Sequence, residues 1–517
     1  MKEISFNIEI FRDAINEIFN NFGVDRETFA QFDICVRVIK TILFYYCAAE
    51  SKDIEFFDNF EYGYTTLATI KKDIDGLKEV VITIICEINH LENDTFLFDM
   101  NEGIHSKLGN DKLDKILYII PNEKLDARKK LKFENKLYNP QYSPSKLKIW
   151  DFEDLKPLIE EYSVFVSGLS EIFKDLALRN IFDSDIKKQV EKGNNISNKL
   201  LKLIPQIKSG ALVLNLGAGV SQSEDMPGWN DLLQNLMVRA IRENKKYFPN
   251  SLEDNELDYY AKRIHDQERN YPLIEAEFIK FALFQQFRKK IENALYKKNQ
   301  EYSDLIKNIV NFCNIYGIKE IITYNYDDLI ENLFESNFFK KNVWSIYNNE
   351  TYRQKIDEIN IYHVHGYLPE VKSDIILSEL EYYRFLQDNS FWANKIQKKH
   401  YGHSHCLLIG LSIKDPNLRR ILFNAQQDRF KNKMNQSAFL PHFAFIRKTS
   451  KADFLMRRGK GEYLAKSETE EVLTIYHLFK QFTYSQFGIN VIWIDSYDEI
   501  PIILDELIKN RIRKRGF

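Results

Sequence analysis

Six short apolar runs in the second half of the chain each break off into glycine or a polar residue, and this pattern narrows the fold more than any other feature. They are Ala211 to Leu216, Lys319 to Tyr324, Asn360 to Val364, His405 to Leu411, His442 to Ile446 and Asn490 to Ile494. Strands covered on both faces are apolar throughout instead of alternating, and a parallel sheet presents its loops at the carboxyl edge. The expectation is an α/β fold built on a Rossmann-like parallel sheet. Between Leu216 and Lys319 the periodicity is helical, with Leu232, Leu233, Leu236, Met237, Ala240 and Ile241 on one face. That stretch is too long for a simple crossover, so residues 230–313 are expected to form a helical subdomain inserted into the sheet domain.

A chain of 517 residues exceeds what one hydrophobic core usually spans, roughly 250 to 300 residues, so two domains are expected. Residues 1–200 carry their own β-branched runs, Glu79 to Cys86 and Lys115 to Ile120, and Lys148 to Leu155 reads as a short strand followed by a helix. This half is expected to be a mixed α/β domain for regulation, sensing or assembly. Linker candidates are Asp126 to Lys132 with the turn-rich Asn139 to Pro144, and Glu191 to Asn195. The sheet domain then occupies residues 205–505, and the basic tail 506–517 reads as a solvated helix end.

The 72 Lys plus Arg against 75 Asp plus Glu give no bulk basic excess of the kind a dedicated nucleic-acid binder carries. The five cysteines, Cys35, Cys47, Cys86, Cys313 and Cys406, are scattered and never form a C-x-x-C pair, which supports neither a disulfide framework nor a cysteine zinc knuckle. No run reaches the roughly 18 apolar residues of a bilayer span, and Met1 to Asn7 is too acidic and polar for a secretory leader. A cytoplasmic location without membrane association is expected.

Four strand ends carry residue types suited to a nucleotide. The run to Leu216 enters Gly217-Ala218-Gly219-Val220-Ser221, where two glycines either let the backbone approach a diphosphate or simply close a βα turn. Pro227-Gly228 makes a turn, Trp229 can wall a pocket, and Asp231 begins a helix. The run ending Thr323-Tyr324-Asn325-Tyr326-Asp327 puts an amide and a carboxylate on the same side of an extended chain; Asp327 suits a ligand and a helix cap equally. In His363-Val364-His365-Gly366, His365 has the ordinary pKa of a general base, about 6.5. A structural histidine and an H-x-H metal pair, echoed at His403 and His405, are the other readings, but no further ligand spacing completes a zinc site, and no metal is expected. Gly410 and Ser412 end another strand, Asp415-Pro416 starts a helix, and Asp495 closes the last strand with a carboxylate placed to meet an adenosine.

Gly217-Ala-Gly-x-Ser221, Thr323-Tyr-Asn-Tyr-Asp327, Val364-His-Gly366 and Gly410-x-Ser412 occur in the order in which sirtuins place their NAD-binding and catalytic motifs. Residues 205–505 thus resemble a SIR2-like domain. Pro227-Gly-Trp-x-x-Leu-Leu233, the Asn-Tyr-Asp variant, Ile376 to Tyr382 and Gly410-x-Ser-x-x-Asp-Pro416 look more like the SIR2 domains of bacterial antiphage defence than like deacylases. The resemblance implies that Gly217, Ala218, Gly219 and Ser221 cradle the phosphates of NAD+, that Asn325 and His365 are catalytic, and that Asp327 and Ser412 contact a ribose. The four zinc-binding cysteines of deacylating sirtuins are missing, and Tyr324-Asn-Tyr-Asp327 replaces their Gln-Asn-Ile-Asp, which argues against deacetylation and leaves NAD cleavage intact.

The expected function is therefore an NAD+ hydrolase that releases nicotinamide and ADP-ribose, or its cyclised form, with nucleic acid not required for catalysis. The resemblance further implies NAD depletion in abortive infection, a homo-oligomer, and a phage-derived activator or partner defence protein. The alternative is a non-enzymatic NAD or ADP-ribose sensor governing an N-terminal effector. A nuclease is one such effector, given the basic stretch Arg128 to Lys132, although no acidic pair with a following Glu-x-Lys accompanies it. A protein deacylase is the third reading.

Overall fold

The computed structural model describes residues 39–47 except 44, 53–57, 66–71, 80–85, 92, 115–120, 124–137, 146–162, 197, 198, 200 and 201, and 204–514 apart from 208, 250–251, 269, 297–301, 337–338, 389, 432–441 and 453–468. It divides into two compact units. The first comprises Met1–Gln206, Asp428–Leu440 and Thr449–Asn490; the second comprises Ile207–Gln427, Pro441–Lys448 and Val491–Phe517.

The first unit is built on a mixed five-stranded sheet in the order β1 (Asp53–Phe57), β2 (Thr66–Lys71), β3 (Val80–Ile85), β4 (Lys115–Ile119), β5 (Lys146–Trp150). The first three strands form an antiparallel meander, and β4 and β5 add in parallel. Ile116 to Ile119 of β4 are all buried, as a strand with a neighbour on each side should be, whereas the edge strand β5 exposes Lys148 between Leu147 and Ile149. The basic stretch expected to be a linker is instead helical: Asp126 accepts the Lys129 N–H at 2.7 Å and so caps α1 (Ala127–Leu137). Its Lys130 is tied to Asp151 at 3.2 Å and Asp154 at 2.5 Å. Asp151 also accepts the N–H of Leu125 at 2.8 Å and of Glu153 at 3.0 Å, where β5 turns into α2 (Phe152–Tyr162). The linker candidates Asn139 to Pro144 and Glu191 to Asn195 lie outside the described residues.

The second unit carries a seven-stranded parallel sheet between helices. In chain order, β6 (Leu212–Leu216) is followed by α3 (Ala218–Gln222), α4 (Trp229–Glu243), α5 (Asp254–Glu268), α6 (Pro272–Leu283), α7 (Phe287–Leu295) and α8 (Asp304–Tyr316). Then come β7 (Glu320–Thr323), α9 (Leu329–Glu335), β8 (Val343–Ile346), β9 (Ile359–His363), α10 (Glu379–Gln387), α11 (Trp392–His403), β10 (His405–Ile409), α12 (Pro416–Lys431) and β11 (His442–Arg447). Last are α13 (Thr469–Ser485), which belongs to the first unit, β12 (Ile489–Ile494) and α14 (Glu499–Lys514). The strand order is β12-β11-β10-β6-β7-β9-β8. All six expected runs are strands, and β8 is a seventh: a half-buried edge strand whose Val-Trp-Ser-Ile sequence has no apolar run to give it away.

All six residues of the predicted apolar face of α4 are buried, and the elements between β6 and β7 are helical. Ser303 caps α8 by accepting the Ile306 N–H, and Gly317, left-handed at φ 65°, ends it and turns the chain into β7. Asn215 is the one polar residue of β6 and is wholly buried; Tyr401 Oη donates to its Oδ1 at 2.8 Å, so the amide is not orphaned.

Candidate active site

Strand register aligns the four motifs. Ile409 pairs with Leu216, Leu216 with Thr323, and Thr323 with His363, which forms one row across β10, β6, β7 and β9. Every motif begins at or just past that row. Asn325 and His365 therefore both stand two residues beyond paired positions on adjacent strands, at the carboxyl edge of the sheet where α/β folds bind ligands.

The glycine turn locks onto the loop after β10. Gly217 donates its N–H to the Ile409 carbonyl and Gly219 to the Gly410 carbonyl, each at 3.0 Å, and Val220 donates to the Gly217 carbonyl at 2.9 Å. A Cβ on Gly219 would sit 2.8 Å from Gly410 Cα, and a Cβ on Gly410, itself at φ +69°, would sit 2.7 Å from the Val220 nitrogen. Turn-on-turn packing is thus a sufficient reason for these glycines. Of the amides in this turn, Gly217, Gly219 and Val220 are engaged internally, which leaves Ala218 at the first position of α3.

Ser221, Asn325 and Asp327 converge. Asn325 Nδ2 donates to the Gly217 carbonyl at 3.0 Å and to Ser221 Oγ at 2.8 Å, and Ser221 in turn donates to Asp327 Oδ2 at 2.6 Å. Both amide hydrogens of Asn325 are engaged, so its orientation is fixed and its Oδ1 is the end left to accept a hydrogen bond. Asp327 also accepts the Leu329 N–H at 3.3 Å, so the capping role coexists with the contact to Ser221. Burial pushes the Asp327 carboxyl up to about 6, against the opposing pull of the Ser221 hydrogen bond.

The two histidines of the third motif part company. His363 is wholly buried in β9, with Nε2 2.5 Å from Glu331 Oε1 and Nδ1 3.3 Å from the Asn325 carbonyl, and its ring lies against Tyr367. It is a structural residue that supports Asn325. His365 is buried too, but its Nε2 lies 3.7 Å from Asp415 Oδ2, and the rings of Tyr324, Tyr382 and Phe385 meet it edge-on with centroids 5.0 to 6.0 Å away. Burial lowers the His365 pKa, and the Asp415 carboxylate opposes that.

Asp415 is the residue that sequence reasoning undervalued. Its Oδ1 does start α12, by accepting the Leu418 N–H at 2.8 Å, but its Oδ2 accepts the Tyr382 hydroxyl at 2.5 Å and faces His365. Tyr382 is positioned by the first turn of α10, where Ser378 and Glu381 form a capping box. The signal was present in Ile376 to Tyr382, which contains both the cap and the tyrosine. Tyr324, where deacylases have glutamine, donates to Gln397 Oε1 at 2.6 Å and lies 3.3 Å from the Tyr401 hydroxyl, so it joins the buried network that ends at Asn215.

The remaining predicted residues are placed less centrally. Ser412 is exposed, next to Ile413, a buried β-branched residue held at φ +55°. Trp229 is half-buried at the start of α4. Asp495 stands apart from the cluster at the end of the edge strand β12, largely exposed and 3.2 Å from Lys448 Nζ. Among the described residues, no group of three or more His, Cys, Asp or Glu side chains is arranged to hold a metal ion.

Residues 319–468 match the family model of the SIR2-like domain. This SIR2-like region contains three of the four motifs, from Thr323 to Ser412; the glycine turn precedes it. The chain is also 25% identical, over 312 residues, to the NAD(+) hydrolase ThsA of Enterococcus faecium, an alignment that takes in 60% of this chain and 58% of the relative. It thus spans less than two thirds of that relative's length. No helix among the described residues is long and apolar enough to cross a membrane.

Proposed function

We propose that the SIR2-like unit cleaves the nicotinamide glycosidic bond of NAD+ with water, giving nicotinamide, ADP-ribose and a proton. The observation that carries this is the pairing of Asn325, pinned by Gly217 and Ser221 with one oxygen left free, with a buried His365 at the matching position of the next strand. Loss of nicotinamide develops positive charge at the ribose, so the site must hold the sugar rigidly and relieve the incoming water of its proton. Asn325 Oδ1 accepts a hydrogen from that water or from a ribose hydroxyl. His365, kept largely neutral by burial, takes the proton, and Asp415 stabilises the imidazolium that results. Ser221 and Asp327 order the ribose side of the pocket, and the Ala218 amide is available to a phosphate oxygen.

The name of the relative supports NAD+ as the substrate, and the resemblance of the motifs to antiphage SIR2 domains supports a role in which NAD is depleted on infection. Such an enzyme must be silent otherwise, and residues 1–200 are the proposed restraint or sensor, answering to a phage component or a partner protein. Deleting residues 1–195 should change the activation threshold; an unaltered threshold would remove that role.

The test of the reaction is release of nicotinamide from NAD+ by the purified chain at high concentration, with and without lysate of infected cells, and with the second product separated as linear or cyclic ADP-ribose. Cleavage in either condition supports the enzyme. Binding of NAD+ without cleavage in both would favour the sensor, and failure to bind it would overturn the assignment.

A further inference from the structure

Between β9 and α10 the chain runs through residues 364–378 without a helix or strand, so the carbonyls of that loop must find partners elsewhere. Arg288 of α7 supplies them. Its Nη1 donates to the Ser373 carbonyl at 2.8 Å, and its Nη2 donates to the Tyr367 and Leu368 carbonyls at 2.7 Å each and to the Glu370 carbonyl. The rigid fork of a guanidinium can gather several carbonyls at once, which the point charge of a lysine does poorly. The loop also folds back on its own start, because Ile376 donates its N–H to the His365 carbonyl at 2.7 Å and Tyr367 donates to Ser373 Oγ at 2.7 Å. That return is tight: Gly366 stands at φ +113°, and a Cβ there would lie 2.3 Å from the Asp374 carbonyl oxygen.

We propose that Arg288 is a positioning residue for His365. The inference rests on the reading of His365 as the proton acceptor in NAD+ cleavage. Both ends of the loop belong to the site: it leaves from His365 and delivers the chain to Tyr382, whose ring meets that histidine with centroids 5.6 Å apart and whose hydroxyl holds Asp415. A shift of the loop therefore moves the histidine, and the tyrosine that orients its carboxylate partner, together. Arg288 grips the first part of the loop, and Lys280 of α6 pairs with Glu381, the capping-box residue beside Tyr382, at its far end. The helices that precede β7 thus set the geometry of His365 through backbone contacts, without placing a side chain on the reacting atoms.

The test uses the full-length chain with Arg288→Met, which keeps the stem and removes the donors, and Arg288→Lys, which keeps the charge and carries the test if the first variant fails to fold. Hydrogen exchange followed by mass spectrometry should show residues 366–376 exchanging faster in both variants, with the glycine turn at 217–222 unchanged. Turnover in nicotinamide release should fall by about tenfold to a hundredfold in Arg288→Met, the loss that a displacement of about 1 Å brings, and by less in Arg288→Lys, while the Kd for NAD+ holds. In a His365→Ala background Arg288→Met should cost no further turnover, since it acts through that residue. Arg239, which forks onto the Lys290 and Asn293 carbonyls at 3.4 and 3.3 Å, is the control: Arg239→Met should alter neither the exchange of 366–376 nor turnover. Unaltered exchange of the loop, wild-type turnover in Arg288→Met, or a loss that persists undiminished in the His365→Ala background would each overturn the proposal. A wild type that releases no nicotinamide overturns the reading of the site instead, and loop exchange then still decides whether Arg288 holds His365 in place.

Discussion

Replacing Gly410 with alanine tests whether the glycine turns are there to pack on each other. The position is left-handed at φ +69°, and the new Cβ would lie 2.7 Å from the Val220 nitrogen and 3.0 Å from Gly219 Cα, both backbone atoms that cannot swing aside. Left-handed backbone costs about 1 to 2 kcal/mol for a residue with a Cβ, and overpacking a tight contact adds about 1 to 3 kcal/mol, so the loss should be about 2 to 5 kcal/mol. For a unit of this size, each kcal/mol shifts a melting temperature by about 2 to 4 °C, so the sheet unit should melt about 5 °C or more below wild type. Gly219→Ala should behave similarly through its 2.8 Å approach to Gly410 Cα. The assay is a thermal melt followed by circular dichroism, with NAD+ binding measured well below the transition. An unchanged melt combined with lost NAD+ binding would refute the packing argument and return both glycines to a phosphate cradle.

The pH dependence of cleavage should expose Asp415. Activity rises with pH as His365 loses its proton; the carboxylate 3.7 Å away holds that pKa up, while burial pushes it down. Asp415→Asn should therefore lower turnover and move the rising limb to lower pH, and a limb that stays in place or moves up would contradict the pairing. Asp327 predicts a stability effect of its own. Its folded pKa of about 6 exceeds the unfolded value of about 3.9, so the stability it contributes is complete below the lower figure and lost as pH rises through the higher one, by an amount on the order of 3 kcal/mol. In Asp327→Asn that component of the melting temperature's fall between about pH 4 and 7 should vanish, as equilibrium melts across the range would show.

What could be read from the sequence was what local pattern determines. The six apolar runs announced the parallel sheet because strands buried on both faces carry no alternation to confuse with helix, and the α4 face followed from its period alone. β8 was missed because a four-residue edge strand, half-buried except at Ile346, has neither signal. The basic stretch at Arg128 looked like a linker because its charge hides a helix whose capping residue, Asp126, lies just outside it. In the site, the residue types at the strand ends were legible, but their partners were not. That Gly219 needs Gly410, or that Asp415 reaches both Tyr382 and His365, depends on register across strands far apart in sequence. Asp495 looked equivalent to the other strand-end carboxylates until the strand order put β12 at the sheet edge.

The most direct test of the central claim is nicotinamide release by Asn325→Ala and His365→Ala beside wild type, with NAD+ binding measured on all three. If the two residues perform the chemistry, wild type releases nicotinamide and each variant loses about a hundredfold or more in turnover while still binding NAD+. Variants that cleave at the wild-type rate would contradict the account.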